Sequence, residues 1–166
     1  MARFNGKSIE ALFEKSKLQA KRSLGKIGVC CGDEPDFAGL NGWVFEKTIL
    51  SCILEELVVK GIARKVEEQF SLGGRARADL KIGSVAIEIK VSGLFSFDDI
   101  QKYGKYRKAA EKQGLQYFFL SREESYAPYR RGIIKVIGKE NVFYLSDKGE
   151  WSRFVTRLIQ CVKKAG

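Results

Sequence analysis

Two carboxylates and a lysine stand among apolar residues in the segment RADLKIGSVAIEIKVSG, residues 77–93. They are Asp79, Glu88 and Lys90. Burying an unpaired charge is costly, so such side chains in an apolar segment either face solvent or serve a ligand. Carboxylate oxygens are the ligands that Mg²⁺ prefers, and a cation between two carboxylates removes their repulsion. The three side chains are therefore the first candidates for a chemical site.

The alternation of residue types around Glu88 predicts a β-strand over residues 85–91. Successive side chains of a strand point to opposite faces, so Glu88 and Lys90 share the face opposite to Ile87 and Ile89. A strand at 77–82 and a Gly-Ser turn precede this strand, and the resulting hairpin would bring Asp79 beside Glu88. The alternative is that Glu88 and Lys90 form the solvated face of an edge strand, cross-paired with Asp79.

The charge and size of the chain narrow the class of protein. Its 166 residues, 45% of them hydrophobic, fit one globular domain spanning 1–166. Thirty Lys and Arg against twenty Asp and Glu give a formal net charge of +10, which favours an anionic partner, nucleic acid above all. No apolar run reaches the ~20 residues of a membrane-spanning helix, and no signal peptide is evident. We expect a cytoplasmic protein with no membrane partner.

Residue types that are missing or rare exclude several kinds of site. The chain has no histidine, which removes imidazole bases, Ser-His-Asp sites and His-ligated zinc. Its four cysteines, Cys30, Cys31, Cys52 and Cys161, are spaced too irregularly for a paired zinc motif, and we expect reduced structural thiols. Any chemistry must use carboxylates, lysines, tyrosines or a hard metal ion.

Hydrophobic spacing and turn residues predict alternating helices and strands. In chain order the prediction is a helix at 6–24, an irregular connection at 25–42, a helix at 43–61, strands at 62–72, 77–82 and 85–91, a helix at 96–114, a strand at 115–121, a helix or turn at 126–138, a strand at 141–146 and a helix at 150–165. This order predicts an α/β fold.

The spacing from Asp79 to the tripeptide Glu88-Ile89-Lys90 resembles the PD-(D/E)XK nuclease motif. The sequence GWVFE at 42–46 resembles the Gly-x-x-Phe-Glu helix that supplies a further acidic residue in many members. The resemblance covers residues 40–121 and implies a restriction-endonuclease-like αβββαβ core, with a mixed central sheet flanked by helices. An N-terminal helical extension at 1–36 and C-terminal elements at 122–166 would be additions to that core.

The resemblance also implies a metal-dependent phosphodiesterase and gives roles to single residues. Asp79, Glu88 and the carbonyl of Ile89 would bind Mg²⁺, with Mn²⁺ as a substitute, and Glu46 would complete or tune the site. Lys90 would act on the attacking water. Gln101 is similar to the accessory glutamine of some branches. The chain departs from the pattern in having Ala78 where the motif has proline, and Tyr106 one residue beyond the expected tyrosine position.

The implied substrate is DNA, cut at a particular site or structure. Restriction and homing enzymes, junction resolvases and toxin nuclease domains share the motif, and the sequence leaves them open. A non-catalytic basic nucleic-acid-binding domain is the alternative from another class. Basic residues on and after the helix that follows the motif are the expected phosphate contacts: Lys102, Lys105, Arg107, Lys108, Arg130 and Arg131.

A homodimer or higher homo-oligomer is expected, because one site of this kind cuts one strand. The amphipathic helices at the two ends of the chain carry apolar faces that the core does not obviously need. These faces comprise Ile9, Leu12, Phe13, Trp151, Phe154, Leu158 and Ile159. The alternative is that they pack against the sheet.

Overall fold

The computed structural model describes residues 2–31 and 39–164, and their side chains except at 27–31 and 164. Within these ranges the chain forms five α-helices, a short 3₁₀ turn at Lys139–Asn141 and five strands. The helices are α1 (Gly6–Cys31), α2 (Leu40–Val59), α3 (Phe97–Lys112), α4 (Ala127–Ile137) and α5 (Glu150–Lys164). The strands are β1 (Val66–Gly73), β2 (Ala76–Ile82), β3 (Val85–Lys90), β4 (Gln116–Ser121) and β5 (Val142–Tyr144).

The five strands form one mixed sheet in the order β1-β2-β3-β4-β5. The first three strands pair antiparallel, whereas β3, β4 and β5 pair parallel. The predicted α/β class is confirmed. Strand β3, which carries Glu88 and Lys90, lies in the middle of the sheet with neighbours on both sides. The edge-strand interpretation of these two residues is therefore wrong.

Each face of the sheet has its own hydrophobic core. Val85, Ile87 and Ile89 of β3 point into the core made with α1, α2 and α5. Ala86 points the other way, into the core made with α3 and α4. Side chains of β3 alternate between the two faces, as the sequence predicts, because a strand has a period of two. Both sets are buried because helices cover both faces.

Two helix boundaries show how far local signals hold. Helix α2 ends as predicted before Gly61, which has φ +64° and lets Ile62 N–H donate to the carbonyl of Leu57 at 2.9 Å. Helix α1 continues through Gly25 to Cys31, so an irregular connection starting at residue 25 is wrong. A glycine inside a helix costs only about 1 kcal/mol, which the surrounding turns offset. The predicted connection is also wrong at residues 40–42, because α2 begins at Leu40, and its part at 32–38 lies outside the described residues.

The apolar faces of the terminal helices are used inside the protein. Ile9 and Phe13 of α1 and Trp151, Phe154 and Leu158 of α5 are buried in the core beneath the sheet, and Ile159 packs against it. Leu12 is 40% exposed. The view that these faces are free for a partner is wrong, since the sheet face needs a covering layer. The homodimer stays a prediction, and the apolar faces of the terminal helices no longer support it.

Two further expectations concern thiols and membranes. Cys52 and Cys161 are buried free thiols, and burial raises the pKa of Cys52 to about 12. The side chains of Cys30 and Cys31 lie outside the described part of the chain. Among the described helices none combines the length and the apolar character needed to cross a membrane.

Candidate functional site

Asp79 lies where β2 and β3 stop pairing. The antiparallel register runs through Ile82, Lys81 and Leu80 and ends before Asp79 reaches Glu88. Asp79 takes the place of the next main-chain contact, because its Oδ2 accepts a hydrogen bond from the Ile89 N–H at 2.6 Å. The divergence of two strands thus places a carboxylate against the backbone of the central strand.

Glu88 is a buried carboxylate with two protein partners. It is 4% exposed. Its Oε1 lies 2.9 Å from the Lys90 Nζ, and its Oε2 accepts a hydrogen bond from the Tyr117 hydroxyl at 3.4 Å. Tyr117 reaches Glu88 because it pairs in register with Ala86, whose small side chain leaves room on that face. Central position and burial rule out a merely solvated surface charge.

Lys90 stays charged in spite of its surroundings. Its Nζ lies 5.5 Å from the centre of the Tyr103 ring of α3. Burial would lower the pKa of Lys90, but Glu88 and Tyr103 together raise it. The site therefore holds a fixed cation beside a buried carboxylate.

Both carboxylates of the hairpin have raised pKa values, and the charge of Asp79 opposes the ionisation of Glu88. Burial, followed by the charge of Asp79, raises the pKa of Glu88 to about 7 in spite of Lys90. Burial also raises the pKa of Asp79, against the lowering effects of the Ile89 N–H and Lys90. Positive charge brought between these oxygens would remove the repulsion.

Glu46 approaches the same site from α2. It is half-buried, and no hydrogen bond or ion pair joins its carboxylate to another described side chain. Burial and the charge of Asp79 raise the pKa of Glu46 to about 7, while Lys90 and Lys47 act in the opposite direction. Packing of α2 against the sheet thus brings a further carboxylate within electrostatic reach of Asp79.

Glu46→Gln is expected to make the protein more stable above neutral pH. The folded pKa of about 7 exceeds the unfolded value of ~4.3, so the free energy of unfolding falls as pH rises between these values. The variant lacks this loss. After allowance for solvent screening, its advantage over the wild type should grow by about 1 kcal/mol between about pH 4.5 and 8.

Urea denaturation of both proteins across this pH range measures the difference. Glu55→Gln, which removes a carboxylate of the same helix that is paired with Arg3, serves as the control. An advantage of Glu46→Gln that shrinks as pH rises would contradict the sign.

Gln69 faces Asp79 from the outer strand β1. Its Nε2 lies 3.5 Å from the Asp79 Oδ1. The β1–β2 register pairs Glu68 with Leu80 and Phe70 with Ala78, so Gln69 stands opposite Asp79. Its φ of +50° makes it the one non-glycine residue in the described ranges with a positive φ. Both strands are thus irregular at the level of Asp79, and the Gln69 conformation is of a kind that costs about 1–3 kcal/mol.

Helix α3 presents a different residue to the site from the one predicted. Gln101 is exposed and lines a groove between α3 and α4, with Lys105 and Lys108. Tyr103, on the opposite side of the helix, lies against Lys90. The charge of Lys102 lowers the pKa of both Asp79 and Glu88, although burial dominates each shift. The structure therefore does not bring Gln101 to Asp79 and Glu88, because residues two positions apart on a helix differ by about 200° around its axis.

Two of the six predicted phosphate contacts are engaged within the protein. Arg107 pairs with Glu111 and donates to the Val136 carbonyl at 2.8 Å. Arg130 pairs with Glu124 and with Asp147. The other four, which are exposed, are Lys102, Lys105, Lys108 and Arg131. These four side chains are the ones available for an external anion.

Oxygen ligands favour a hard cation at this site, although few carboxylates lie close together. No group of three acidic or cysteine side chains within the described ranges is gathered closely enough to hold a metal ion. The candidate oxygen donors are Asp79, which accepts from the Ile89 N–H, and Glu88, whose pKa the charge of Asp79 raises. An all-oxygen set in which the charge of one carboxylate raises the pKa of the other fits Mg²⁺ or Mn²⁺, which keep several waters.

Tyr103 and Tyr117 are the site residues that sequence reasoning missed. Each is 2% exposed, and each places a side chain against Lys90 or Glu88. The signal available was indirect: a buried tyrosine needs a partner for its hydroxyl, and both tyrosines stand in segments with apolar periodicity. Which partner they find depends on the packing of α3 and β4.

No family model matches this chain, and no curated protein or solved structure is significantly similar to it.

Proposed function

We propose that the protein is a Mg²⁺-dependent endonuclease that hydrolyses phosphodiester bonds of DNA. The observation that carries this proposal is the arrangement on the central strand, where buried Glu88 is paired with Lys90 while Asp79 leaves the strand ladder beside it. Burying the charged groups of Asp79, Glu88 and Lys90 inside the sheet lowers the stability of the fold. Ionisable groups with shifted pKa values of this kind cluster at functional sites.

Asp79, Glu88 and the carbonyl of Ile89 are the groups that would hold the cation, with Glu46 tuning the charge from α2. When bound, Mg²⁺ would neutralise a phosphate and lower the pKa of a bound water. The side chain of Lys90, held between Glu88 and Tyr103, would orient the water and stabilise the charge that develops on the phosphate oxygens.

The element order supports the same proposal. From Leu40 to Ser121 the chain runs α2, β1, β2, β3, α3, β4, the αβββαβ order of a restriction-endonuclease-like core. Asp79 lies on β2, Glu88 and Lys90 on β3, and Glu46 on α2, as the motif requires. The charge of +10 and the exposed lysines of α3 suit a polyanionic substrate.

Hydrolysis is expected to require Mg²⁺ or Mn²⁺, because the oxygen ligands select hard cations. Incubation of plasmid and branched DNA with the full chain, with either metal or with excess EDTA, measures this requirement. Zinc at low micromolar concentration should not substitute, since the chain has no histidine. Asp79→Asn is the control for contaminating nuclease. Full cutting in EDTA, or equal cutting by Asp79→Asn, would overturn the proposal.

A non-catalytic DNA-binding domain is the second candidate, and one observation favours it. Both oxygens of Glu88 already have partners, Lys90 and Tyr117, as they would in a purely structural ion pair. Binding of DNA without cutting under every metal condition would support this candidate.

A further inference from the structure

Helices α3 and α4 lie side by side and run in the same direction. Phe97 meets Tyr129 with ring centres 5.0 Å apart. Further along both helices, a Cβ at Gly132 would lie 2.6 Å from the end of the Ile100 side chain. The contacts advance together along the two helices, and from Ile100 onwards a groove runs between their outer surfaces.

Three aromatic rings lie together at the first turns of the two helices. Tyr129 lies between Phe97 and Tyr126, with ring centres 5.0 Å and 6.1 Å away. Tyr129 is half-buried, whereas Phe97 is 59% and Tyr126 70% exposed. We call these three residues the aromatic platform. Phe95, in the loop before α3, is also 70% exposed. Exposed rings of this size in one place usually mark a binding surface.

The platform is held rigidly against the end of the sheet that carries Lys90. The two loops that lead from β3 and β4 to the platform are joined, because the Leu94 N–H donates to Ser125 Oγ at 2.9 Å and Ser121 Oγ donates to the Ser92 carbonyl at 3.3 Å. A Cβ at Gly93 would lie 2.4 Å from the Glu124 carbonyl oxygen, so only glycine fits there. These contacts fix the position of the platform relative to the end of the sheet that carries Lys90.

The platform and the proposed site share helix α3. Phe97 precedes Tyr103, which contacts Lys90, by about 9 Å along the helix axis. Because residues six apart also differ by about 240° around the helix, a DNA strand that crosses the platform could reach Lys90 only by passing from one side of α3 to the other.

Cations line the groove beyond the platform. The groove is bordered by Gln101, Lys105 and Lys108 of α3, by the ion pair of Arg107 with Glu111, and by Lys135 of α4. Arg131 is exposed one turn before Lys135. Of the acidic residues near the platform, Glu124 pairs with Arg130 and Glu123 with Arg122, whereas Asp98, next to Phe97, is exposed. A row of cations next to stacked rings is the arrangement that binds single strands, with phosphates on the cations and bases on the rings.

We propose that the aromatic platform and the basic groove between α3 and α4 bind an unpaired strand, so that the substrate is DNA with a single-stranded segment next to a duplex. This inference rests on the proposed function for its substrate class. Aromatic rings stack on any base, so we expect the platform to prefer unpaired DNA over duplex DNA without preferring a particular base sequence.

The test compares two DNAs in EDTA, where no hydrolysis interferes. Fluorescence anisotropy of the full chain measures the affinity for a blunt duplex and for the same duplex with a single-stranded tail, at one fixed salt concentration. The wild type should bind the tailed DNA about tenfold more tightly, at the lower end of the losses measured for single base–ring stacks. Phe97→Leu/Tyr126→Leu should abolish this preference and leave blunt-duplex affinity within about twofold.

Leucine separates stacking from general apolar contact, because it keeps an apolar side chain but has no ring face. Leu54→Ser/Val58→Ser removes exposed apolar surface from α2, on the other side of the sheet, and should retain the tail preference. Equal binding of both DNAs by the wild type would overturn the inference. So would a leucine variant that keeps the preference, or one that changes the oligomeric mass in light scattering, which would assign the platform to contacts between protein copies.

This experiment and the test of the nuclease proposal can fail separately. A tail preference without metal-dependent cutting keeps the strand-binding surface and removes the enzyme. Cutting without a tail preference does the reverse.

Discussion

Lys90→Ala is expected to slow Mg²⁺-dependent hydrolysis by about 10²–10³ while leaving metal binding largely intact. The magnitude follows from the loss of one fixed charge donor aimed at a developing anion in a water-poor site. Lys90 qualifies because it is held by Glu88 at 2.9 Å and by the Tyr103 ring, and because both neighbours raise its pKa. Single-turnover cleavage under saturating Mg²⁺ measures the loss.

Lys81→Ala is a closely matched control. Lys81 is also a lysine of the sheet, paired with Glu67 at 2.7 Å and placed over the Phe70 ring at 4.4 Å. It stands on β2, and among the described residues its hydrogen bond, ion pair and ring contact are with Glu67 and Phe70 of β1. We expect its removal to change the cleavage rate less than about threefold. Equal losses for the two variants would mean that Lys90 acts only through stability.

Glu56→Ala is expected to lower the free energy of unfolding by about 3 kcal/mol. Glu56 is 2% exposed, and its Oε1 accepts hydrogen bonds from three donors. These are the N–H groups of Arg3 and Phe4, at 2.7 and 3.1 Å, and the Trp151 indole at 3.1 Å. One carboxylate oxygen thus ties the N-terminal segment to α5 through α2, and alanine would leave all three donors without it.

Glu56→Gln separates the geometry from the charge. Its amide oxygen can keep the three bonds, and its amide nitrogen replaces Oε2, which is buried with no hydrogen-bond partner among the described residues. We expect a loss of about 1 kcal/mol for this variant. Glu55→Ala, which removes an exposed pair with Arg3 at 3.4 Å, should cost less than about 0.5 kcal/mol. Guanidinium denaturation compares the three, and similar losses at positions 55 and 56 would contradict the argument.

Local signals in the sequence determined the elements and the positions of the charges on them. The period of two around Glu88 put Glu88 and Lys90 on one face of a strand, and Ser96 began α3 by accepting from the Asp99 N–H at 3.1 Å. Gly61 ended α2 through its positive φ. Each of these features depends on residues within one or two turns, which is the range over which sequence patterns act.

Only the tertiary structure decided what those charges and faces contact. Glu88 is buried because β4 pairs parallel to β3 and brings Tyr117 to it, and Lys90 is held because α3 turns Tyr103, and not Gln101, towards the sheet. The terminal helices, whose apolar faces suggested a partner, cover the sheet instead. Periodicity specifies which face of an element is apolar but not what covers it, because that choice is made by contacts between segments distant in the chain.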